Sequence, residues 1–347
     1  MLVRGVGLLV AVPILWGQSY ESFVPSAYTA ERKWPVLYCL DPGARGKVPV
    51  ERFAKAAEAE GVIVVGSNKS RNGPNAPVEE AIREMWLGTH SRFSVDDSRV
   101  YAAGFSGGAR VALSWARTGM LKGVIACGAG FGDEAPEKLT FRFFASVGVD
   151  DFNYPELWHN SLALAKRGIE HRFVAFDGGH DWLPESLTRE ALQYMDGKIP
   201  GQAAVDSKEE RRQDTRFREL VNEMAGGENA GLIRSLQRQA KQERESGDRR
   251  VARRVLNGTF VGSMEEARNA MYSKDYAAAT RAWELATRVR PEAANAWYGL
   301  AIAQAGTGQE KRAADSLQKA EKAGFQDWDR ARKEPLLKGA LERLGRP

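Results

Sequence analysis

A serine lies among glycines in the stretch VYAAGFSGGARVA, residues 100–112, where an apolar run gives way to residues that favour a helix. A sharp turn from a strand into a helix exposes a serine hydroxyl, which can then act as the nucleophile of acyl transfer. Gly104 and Gly108 leave room for such a turn, and the first turn of a helix stabilises negative charge on a bound oxygen. We therefore interpret Ser106 as a candidate nucleophile, and the alternative is an ordinary glycine-rich turn.

A serine nucleophile needs a base, which is commonly a histidine. Of the four histidines, His90 and His171 stand before or at the start of apolar runs, and His159 lies in an amphipathic helical stretch. His180 follows an apolar run, in the loop FDGGHDW, where two adjacent glycines permit a tight turn. We expect His180 to accept the proton of Ser106.

The base in turn needs a carboxylate that orients its ring. Asp150 and Asp151 both follow the apolar run FRFFASVG at 141–148, and either could accept the second ring proton of His180. We prefer Asp151, which is the third residue after the glycine that ends the run. Asp150 stays open as the alternative acid.

The tetrahedral intermediate of acyl transfer needs two hydrogen-bond donors aimed at its oxygen. The backbone N–H of Gly107, directly after the serine, is the first candidate. We expect the second in the loop DPGA, which follows the apolar run at 34–40. Because Pro42 has no N–H, Gly43 is the preferred donor of this loop and Ala44 the next.

These residues have to be positioned by the elements around them. Short apolar runs of strand length alternate with amphipathic helical stretches, such as residues 50–60 and 156–168. The runs are WPVLYCL at 34–40, GVIVVGS at 61–67, RVYAAGF at 99–105, GVIACG at 123–128, FRFFASVG at 141–148 and HRFVAF at 171–176. The alternation predicts an α/β fold with a mostly parallel sheet covered on both faces, and an extra strand near residues 20–24.

In such a sheet, the loops that leave the carboxyl ends of the strands lie at one edge, where ligands bind. The predicted sheet brings a serine, a carboxylate and a histidine to this edge, in that chain order. We expect four further side chains of these loops to contact the substrate: Asn68, Arg71, Phe152 and Trp182.

The composition argues against several classes of function. The 50 basic and 45 acidic residues are interspersed, so the net charge of +5 does not indicate a nucleic-acid partner. Cys39 and Cys127 lie inside apolar runs, and neither a disulfide framework nor a metal-ligand spacing is present. We expect no cofactor and no metal. A metal-dependent hydrolase is the weaker alternative, because the four histidines are scattered.

Residues 1–19 have the pattern of a signal peptide. The basic start MLVR precedes the apolar stretch GVGLLVAVPILWG, and Gly17 and Ser19 are spaced like a cleavage site. A membrane anchor or a buried helix is the alternative, but the stretch is short for a bilayer span and contains Pro13. We expect an exported protein, periplasmic or extracellular, whose mature chain begins near Tyr20 and keeps no membrane span.

The composition changes after residue 199. Residues 200–260 are rich in charged side chains and predict exposed helices that form a linker. Small residues and tryptophans then recur with a period of 34 residues, so residues 261–347 resemble about two tetratricopeptide repeats with a capping helix at 326–345. The resemblance implies a concave surface for a protein or peptide partner, and the alternative is an ordinary helical hairpin.

Residues 20–199 resemble the alpha/beta-hydrolase superfamily, and most of all its esterase branch of polyhydroxybutyrate depolymerases, feruloyl esterases and dienelactone-hydrolase-like proteins. The matching pieces are FVPSAY, VLYCLDPGARG, VVGSNKSRNG, VYAAGFSGGARVA, GVDDFNY and DGGHDW. The resemblance implies a sheet of the alpha/beta-hydrolase type, with Ser106 as nucleophile, Asp150 or Asp151 as acid and His180 as base. Asp41-Pro42-Gly43 stands where many relatives carry His-Gly.

Together these features predict an exported serine hydrolase that cleaves carboxylic esters through an acyl-enzyme, in a compact domain with an open site. The helical repeats would bind a partner, and the hydrolase domain should keep its activity on small esters without them. The alternative is that the helices at 201–260 pack across the open site and act as its lid. The alternative is a binding module in which the hydrolase fold is an inactive scaffold. The complete set of serine, aspartate and histidine favours the enzyme.

Overall fold

The computed structural model describes residues 19–225 and 230–346, so nearly all of the predicted signal peptide lies outside the described residues. The first half of the described chain forms a seven-stranded sheet. Its strands are β1 (Tyr20–Phe23), β2 (Trp34–Leu40), β3 (Ile63–Ser67), β4 (Val95–Phe105), β5 (Gly123–Cys127), β6 (Arg142–Gly148) and β7 (Arg172–Phe176).

The sheet is parallel except at one margin. The strand order is β1-β3-β2-β4-β5-β6-β7, and β1 pairs with β3 in the antiparallel sense while the other neighbours are parallel. Parallel strands end at the same edge of a sheet, so the loops after β2, β3, β4, β6 and β7 meet there. We call this edge the carboxyl edge.

Helices cover both faces of the sheet. They are α1 (Lys47–Glu60), α2 (Val78–Arg92), α3 (Gly107–Ala116), α4 (Tyr154–Lys166) and α5 (Glu185–Met195). Strand β2 illustrates why both faces need a cover: all seven of its residues are buried, and their side chains point alternately into two cores. Trp34, Val36, Tyr38 and Leu40 pack with α2, α3 and α4, whereas Leu37 and Cys39 pack with α1 and α5.

The rest of the described chain is helical. Its helices are α6 (Lys208–Ala225), α7 (Ala230–Ala240), α8 (Gly247–Tyr272), α9 (Tyr276–Val289), α10 (Ala294–Gly306), α11 (Glu310–Lys322), α12 (Trp328–Arg332) and α13 (Lys338–Arg343). Among the described helices, none is both long and apolar enough to cross a bilayer.

The segment predicted as a charged linker is part of this helical region. Residues 200–260 contain α6, α7 and the first half of α8, so the predicted boundary at 260 falls inside a helix of 26 residues. Leu220, Ile233, Leu236 and Val251 fill a core shared with α9 and α10. Most of the charged side chains that suggested a linker lie on the outer faces of these amphipathic helices, whereas Arg253 and Arg254 of α8 face the sheet domain.

The fold class predicted from the sequence is confirmed. A mostly parallel sheet with helices on both faces is followed by a region built of helices. The six apolar runs correspond to β2–β7, and the extra strand at the start corresponds to β1. Helix α2 was not among the predicted elements, and it covers the sheet beside α3.

Candidate active site

Ser106 forms the turn between β4 and α3. Its φ of 52° and ψ of −121° lie outside the regions that residues with side chains usually adopt, a strain that costs about 1–3 kcal/mol. The flanking glycines permit the turn by close approach. A Cβ on Gly104 would lie 2.2 Å from the Gly108 carbonyl oxygen, and a Cβ on Gly108 would lie 1.9 Å from the Leu40 carbonyl oxygen. The sequence therefore holds a half-buried serine at the carboxyl edge, at the start of α3.

His180 lies beside this turn, in the loop after β7. Its ring centroid is 4.7 Å from that of Phe105, the residue before the serine. Ser106 N–H donates to the Cys127 carbonyl oxygen at 2.8 Å, and a Cβ on the next residue, Gly128, would lie 3.1 Å from His180 Nδ1. The structure thus brings the predicted base and the predicted nucleophile to neighbouring positions at one edge.

The two aspartates have different partners. His180 Nδ1 lies 3.0 and 2.9 Å from Oδ1 and Oδ2 of Asp151, whose side chain is fully buried. Asp150 turns the other way, and its Oδ2 accepts a hydrogen bond of 2.6 Å from Arg253 Nη1 of α8. Asp151 also accepts from the Asn153 N–H at 2.8 Å, which fixes the carboxylate for its contact with the histidine.

The second predicted oxyanion donor needs a correction. The carboxylate of Asp41 accepts hydrogen bonds from Gly43 N–H at 2.8 Å, from Arg45 Nε at 2.8 Å and from Trp182 Nε1 at 2.9 Å. Although burial raises the pKa of Asp41, these hydrogen bonds outweigh it and hold the pKa below its ordinary value. Ala44 N–H donates to the Asp41 carbonyl oxygen at 3.1 Å. Both N–H groups predicted for this role are therefore engaged inside their own loop.

A side chain that the sequence did not single out, that of Asn72, lies against Gly107. A Cβ on Gly107 would lie 1.9 Å from Asn72 Oδ1 and 2.9 Å from its Nδ2, so this carboxamide lies directly against Gly107. Asn72 N–H donates to the Pro42 carbonyl oxygen at 2.9 Å, which ties the residue to the loop after β2. The available signal was its place in the polar loop after β3, at the carboxyl edge.

The four predicted substrate contacts divide into two pairs. The Phe152 ring contacts the His180 ring with centroids 4.4 Å apart and planes inclined at 40°, and Arg71 is exposed at the carboxyl edge. Trp182 is buried and bonded to Asp41, so it belongs to the scaffold. The Asn68 carboxamide accepts from Gly46 N–H and donates to Glu21, which gives it a structural role as well. The predictions for Asn68 and Trp182 are corrected accordingly.

The other histidines have partners away from the turn. His90 contacts Asp97, and His159 on α4 contacts Asp214 of α6. His171 is buried, with Nε2 2.6 Å from Ser161 Oγ. No group of three or more potential metal ligands occurs in the described parts of the chain. Burial also raises the pKa of the Cys127 thiol to about 12.

Helix α8 is attached to the loop that carries the two aspartates. Arg254, only 1% exposed, donates from Nε to the Val149 carbonyl oxygen at 2.8 Å and stacks over the Tyr154 ring at 4.0 Å. One turn later, Asn257 Nδ2 lies 3.3 Å from the Asp150 carbonyl oxygen. A Cβ on Gly258 would lie 3.0 Å from the Cβ of Phe152, so the helix backbone lies close to this side chain.

The far end of α8 is attached to the loop after β3. Asn72 Nδ2 lies 3.4 Å from Glu265 Oε1, and Asn75 Nδ2 lies 2.6 Å from the Tyr272 hydroxyl. Strand β4 lies between β3 and β6 in the sheet, so a helix that contacts the loops after both must pass over the end of β4. The open, lid-free site expected from the sequence is therefore wrong, because a helix after the sheet domain covers the carboxyl edge.

No protein-family model matches the chain, and no curated protein is similar to it at a significant level. Among solved structures, it is similar to the S-formylglutathione hydrolase FrmB from Staphylococcus aureus, with 16% identity and a TM-score of 0.40 over 48% of this chain and 83% of that one. A ferulic acid esterase has 21% identity and a TM-score of 0.44 over 52% of this chain and 92% of its own. Est1E from Butyrivibrio proteoclasticus has 14% identity and a TM-score of 0.37 over 52% and 93%. Such a likeness assigns no role to any residue.

Proposed function

We propose that this chain is a serine hydrolase that cleaves carboxylic esters through an acyl-enzyme on Ser106. The observation that carries the proposal is the pair His180–Asp151, with contacts of 2.9 and 3.0 Å, beside a serine in a strained turn. A carboxylate on one ring nitrogen of a histidine leaves the other nitrogen free to accept a serine proton.

The reaction follows from these positions. Ser106 Oγ attacks the ester carbonyl carbon while its proton passes to His180 Nε2, and Asp151 stabilises the resulting imidazolium through Nδ1–H. The tetrahedral intermediate collapses as the C–O bond breaks, and His180 returns the proton to the leaving alcohol. Water then attacks the acyl-enzyme with His180 again as the base, which releases the acid and restores Ser106.

Two donors hold the intermediate's oxygen in this proposal. Gly107 N–H stands at the first position of α3, where a helix has no internal acceptor for it. Asn72 supplies the second donor, because its carboxamide lies against Gly107 and Gly43 N–H is engaged by Asp41. The 3.4 Å contact from Asn72 Nδ2 to Glu265 is long, so an oxyanion can replace it.

The test is labelling and turnover. A fluorophosphonate should modify the full chain at Ser106, and Ser106→Ala should lower kcat on a small ester by about 10⁶-fold. Ser114→Ala, an exposed serine on the same helix, is the matched control and should behave as the wild type. Wild-type protein that neither reacts with the probe nor hydrolyses any of a panel of esters would favour the inactive scaffold.

We further propose that the protein is exported and that its helical region binds a partner. The pattern of residues 1–19 supports a signal peptide, and N-terminal sequencing of protein from the cell envelope or medium should begin near Tyr20. An intact Met1 on the mature protein would contradict this. The 34-residue period supports binding of a peptide by α9–α13, and a peptide-library screen on the full chain that enriches no sequence would contradict it.

A further inference from the structure

A cleft runs between α8 and the loop after β3. Its volume is about 910 Å³, and it is lined by residues 71–74 on one wall and by residues between 265 and 273 on the other. The cleft opens beside the proposed nucleophile, because Asn72, one of its lining residues, packs against Gly107. A molecule that reacts at Ser106 can therefore extend into this cleft.

The two walls of the cleft are joined by a short hydrogen bond. Asn75 Nδ2 of the loop donates to the Tyr272 hydroxyl of α8 at 2.6 Å, and the longer Asn72–Glu265 contact of 3.4 Å lies about two helical turns away. Because the hydrogen bond is present without a ligand, the cleft is formed before a ligand arrives, which lowers the entropic cost of binding.

Each wall carries one arginine without a protein partner. Arg71 and Arg268 are exposed, and neither has an ion pair or a hydrogen bond from its side chain to any residue in the ranges 19–225 and 230–346. Earlier on the same helix, Arg253 and Arg254 are both engaged by the loop after β6. Of the described residues that line the cleft, Glu265 is the one that is acidic, so their net charge is positive.

We propose that this cleft selects esters that carry a carboxylate, which Arg71 and Arg268 bind from opposite walls. A guanidinium offers paired N–H donors that match a carboxylate, and two of them can hold one anion between the walls. The inference rests on the proposed function, since it concerns the substrate of the same serine. It covers a carboxylate on the acyl side or on the alcohol side of the ester, and the experiment separates the two.

The test uses full-length protein and pairs of esters that are similar in size and differ in charge. On the acyl side, 4-nitrophenyl hydrogen adipate is compared with methyl 4-nitrophenyl adipate, and on the alcohol side 4-acetoxybenzoate is compared with 4-acetoxybenzamide. We expect kcat/KM to be about tenfold higher for the anionic member of at least one pair, mainly through KM. The pair that responds identifies the side of the ester that enters the cleft.

Arg71→Ala and Arg268→Ala should each remove most of the preference for the anionic ester, mainly by raising KM for that ester. Arg83→Ala, an exposed arginine on α2 that lines another cavity, is the control and should keep the preference. Equal kcat/KM for both members of both pairs would overturn the inference while leaving the proposed function intact. Failure of the wild type to hydrolyse any of the four esters, together with no labelling of Ser106, would instead reject the proposed function.

Discussion

Arg253 of α8 pairs with Asp150, with its Nη1 2.6 Å from Oδ2, and the adjacent Asp151 is left to contact His180. The two aspartates are neighbours in the chain, but their carboxylates serve different parts of the molecule. Asp150 fastens the loop after β6 to the helical region, whereas Asp151 orients the proposed base. Because the two carboxylates have different partners, substitutions of Asp150 and Asp151 should affect catalysis to different extents.

Asp151→Asn should lower kcat by about 10³–10⁴-fold, because an amide holds His180 in the wrong tautomer. Asp150→Asn removes a charge-assisted hydrogen bond to Arg253 and should lower kcat by less than about tenfold. Steady-state kinetics on one small ester compares the two variants directly. A larger loss for Asp150→Asn would make Asp150 the catalytic acid.

Asn72→Ala should lower kcat by about 10²-fold and change KM little, since an oxyanion donor acts in the transition state. Asn72→Asp should be at least as impaired, because a carboxylate repels the developing negative charge. Asn75→Ala, in the same loop but bonded to Tyr272, is the control and should keep kcat within about threefold. If Asn72→Ala kept the wild-type kcat, the second donor would lie elsewhere.

Local sequence signals were sufficient to predict the sheet and the turn at Ser106. Strands such as β2 are buried at every residue, so each appears as a short apolar run bounded by polar residues. Gly104 and Gly108 are needed because backbone atoms approach within 2.2 Å of where a Cβ would be. These requirements act within a few residues of the chain, so the sequence expresses them directly.

Contacts between distant parts of the chain could not be predicted in this way. Arg253 and Arg254 belong to a charged stretch whose composition resembles a solvated helix, yet they contact residues that lie 103 and 105 positions earlier. The sequence of α8 alone does not indicate that these arginines contact Asp150 and Val149. The engagement of Gly43 N–H by Asp41 is different, because an aspartate two residues before a free N–H is a recognisable turn signal.

His171 should make stability depend on pH. Its Nδ1 donates to the Ile169 carbonyl oxygen at 2.9 Å, and its Nε2 accepts from Ser161 Oγ at 2.6 Å. Burial lowers the pKa of His171, and the hydrogen bond to Ile169 opposes this only in part. The unfolded chain therefore binds a proton at His171 more readily than the folded chain does. The contribution of neutral, buried His171 to the free energy of unfolding is complete above the unfolded pKa of about 6.5 and is lost as the pH falls below it.

The measurement is Tm between about pH 7.5 and pH 5 for wild type and His171→Gln. The wild type should lose more of its Tm over this range, because glutamine does not titrate. Parallel pH profiles for the two proteins would show that another group causes any loss of stability.

Two glycines on α8 test whether this helix acts on the catalytic residues. Gly258 lies against Phe152, whose ring contacts the His180 ring with centroids 4.4 Å apart, so a side chain at 258 must displace Phe152. Gly262, one turn later, is exposed and has no atom within 4 Å of where its Cβ would be. Gly258→Leu and Gly262→Leu add the same side chain to the same helix, and only the leucine at 258 contacts a residue of the site.

Gly258→Leu should lower kcat by about tenfold or more, because a displaced Phe152 no longer supports the His180 ring, and small shifts in catalytic geometry are costly. Gly262→Leu should keep kcat and raise Tm slightly, since leucine favours a helix over glycine by roughly 1 kcal/mol. Kinetics on one small ester, with Tm to verify folding, compares them. A chain that ends near Gly201 lacks α8 altogether. In contrast to the expectation from the sequence, the contacts of Arg254 with Val149 and Tyr154 predict that this shortened chain loses activity even on small esters. Wild-type kcat in both Gly258→Leu and the truncated chain would mean that α8 covers the site without supporting it.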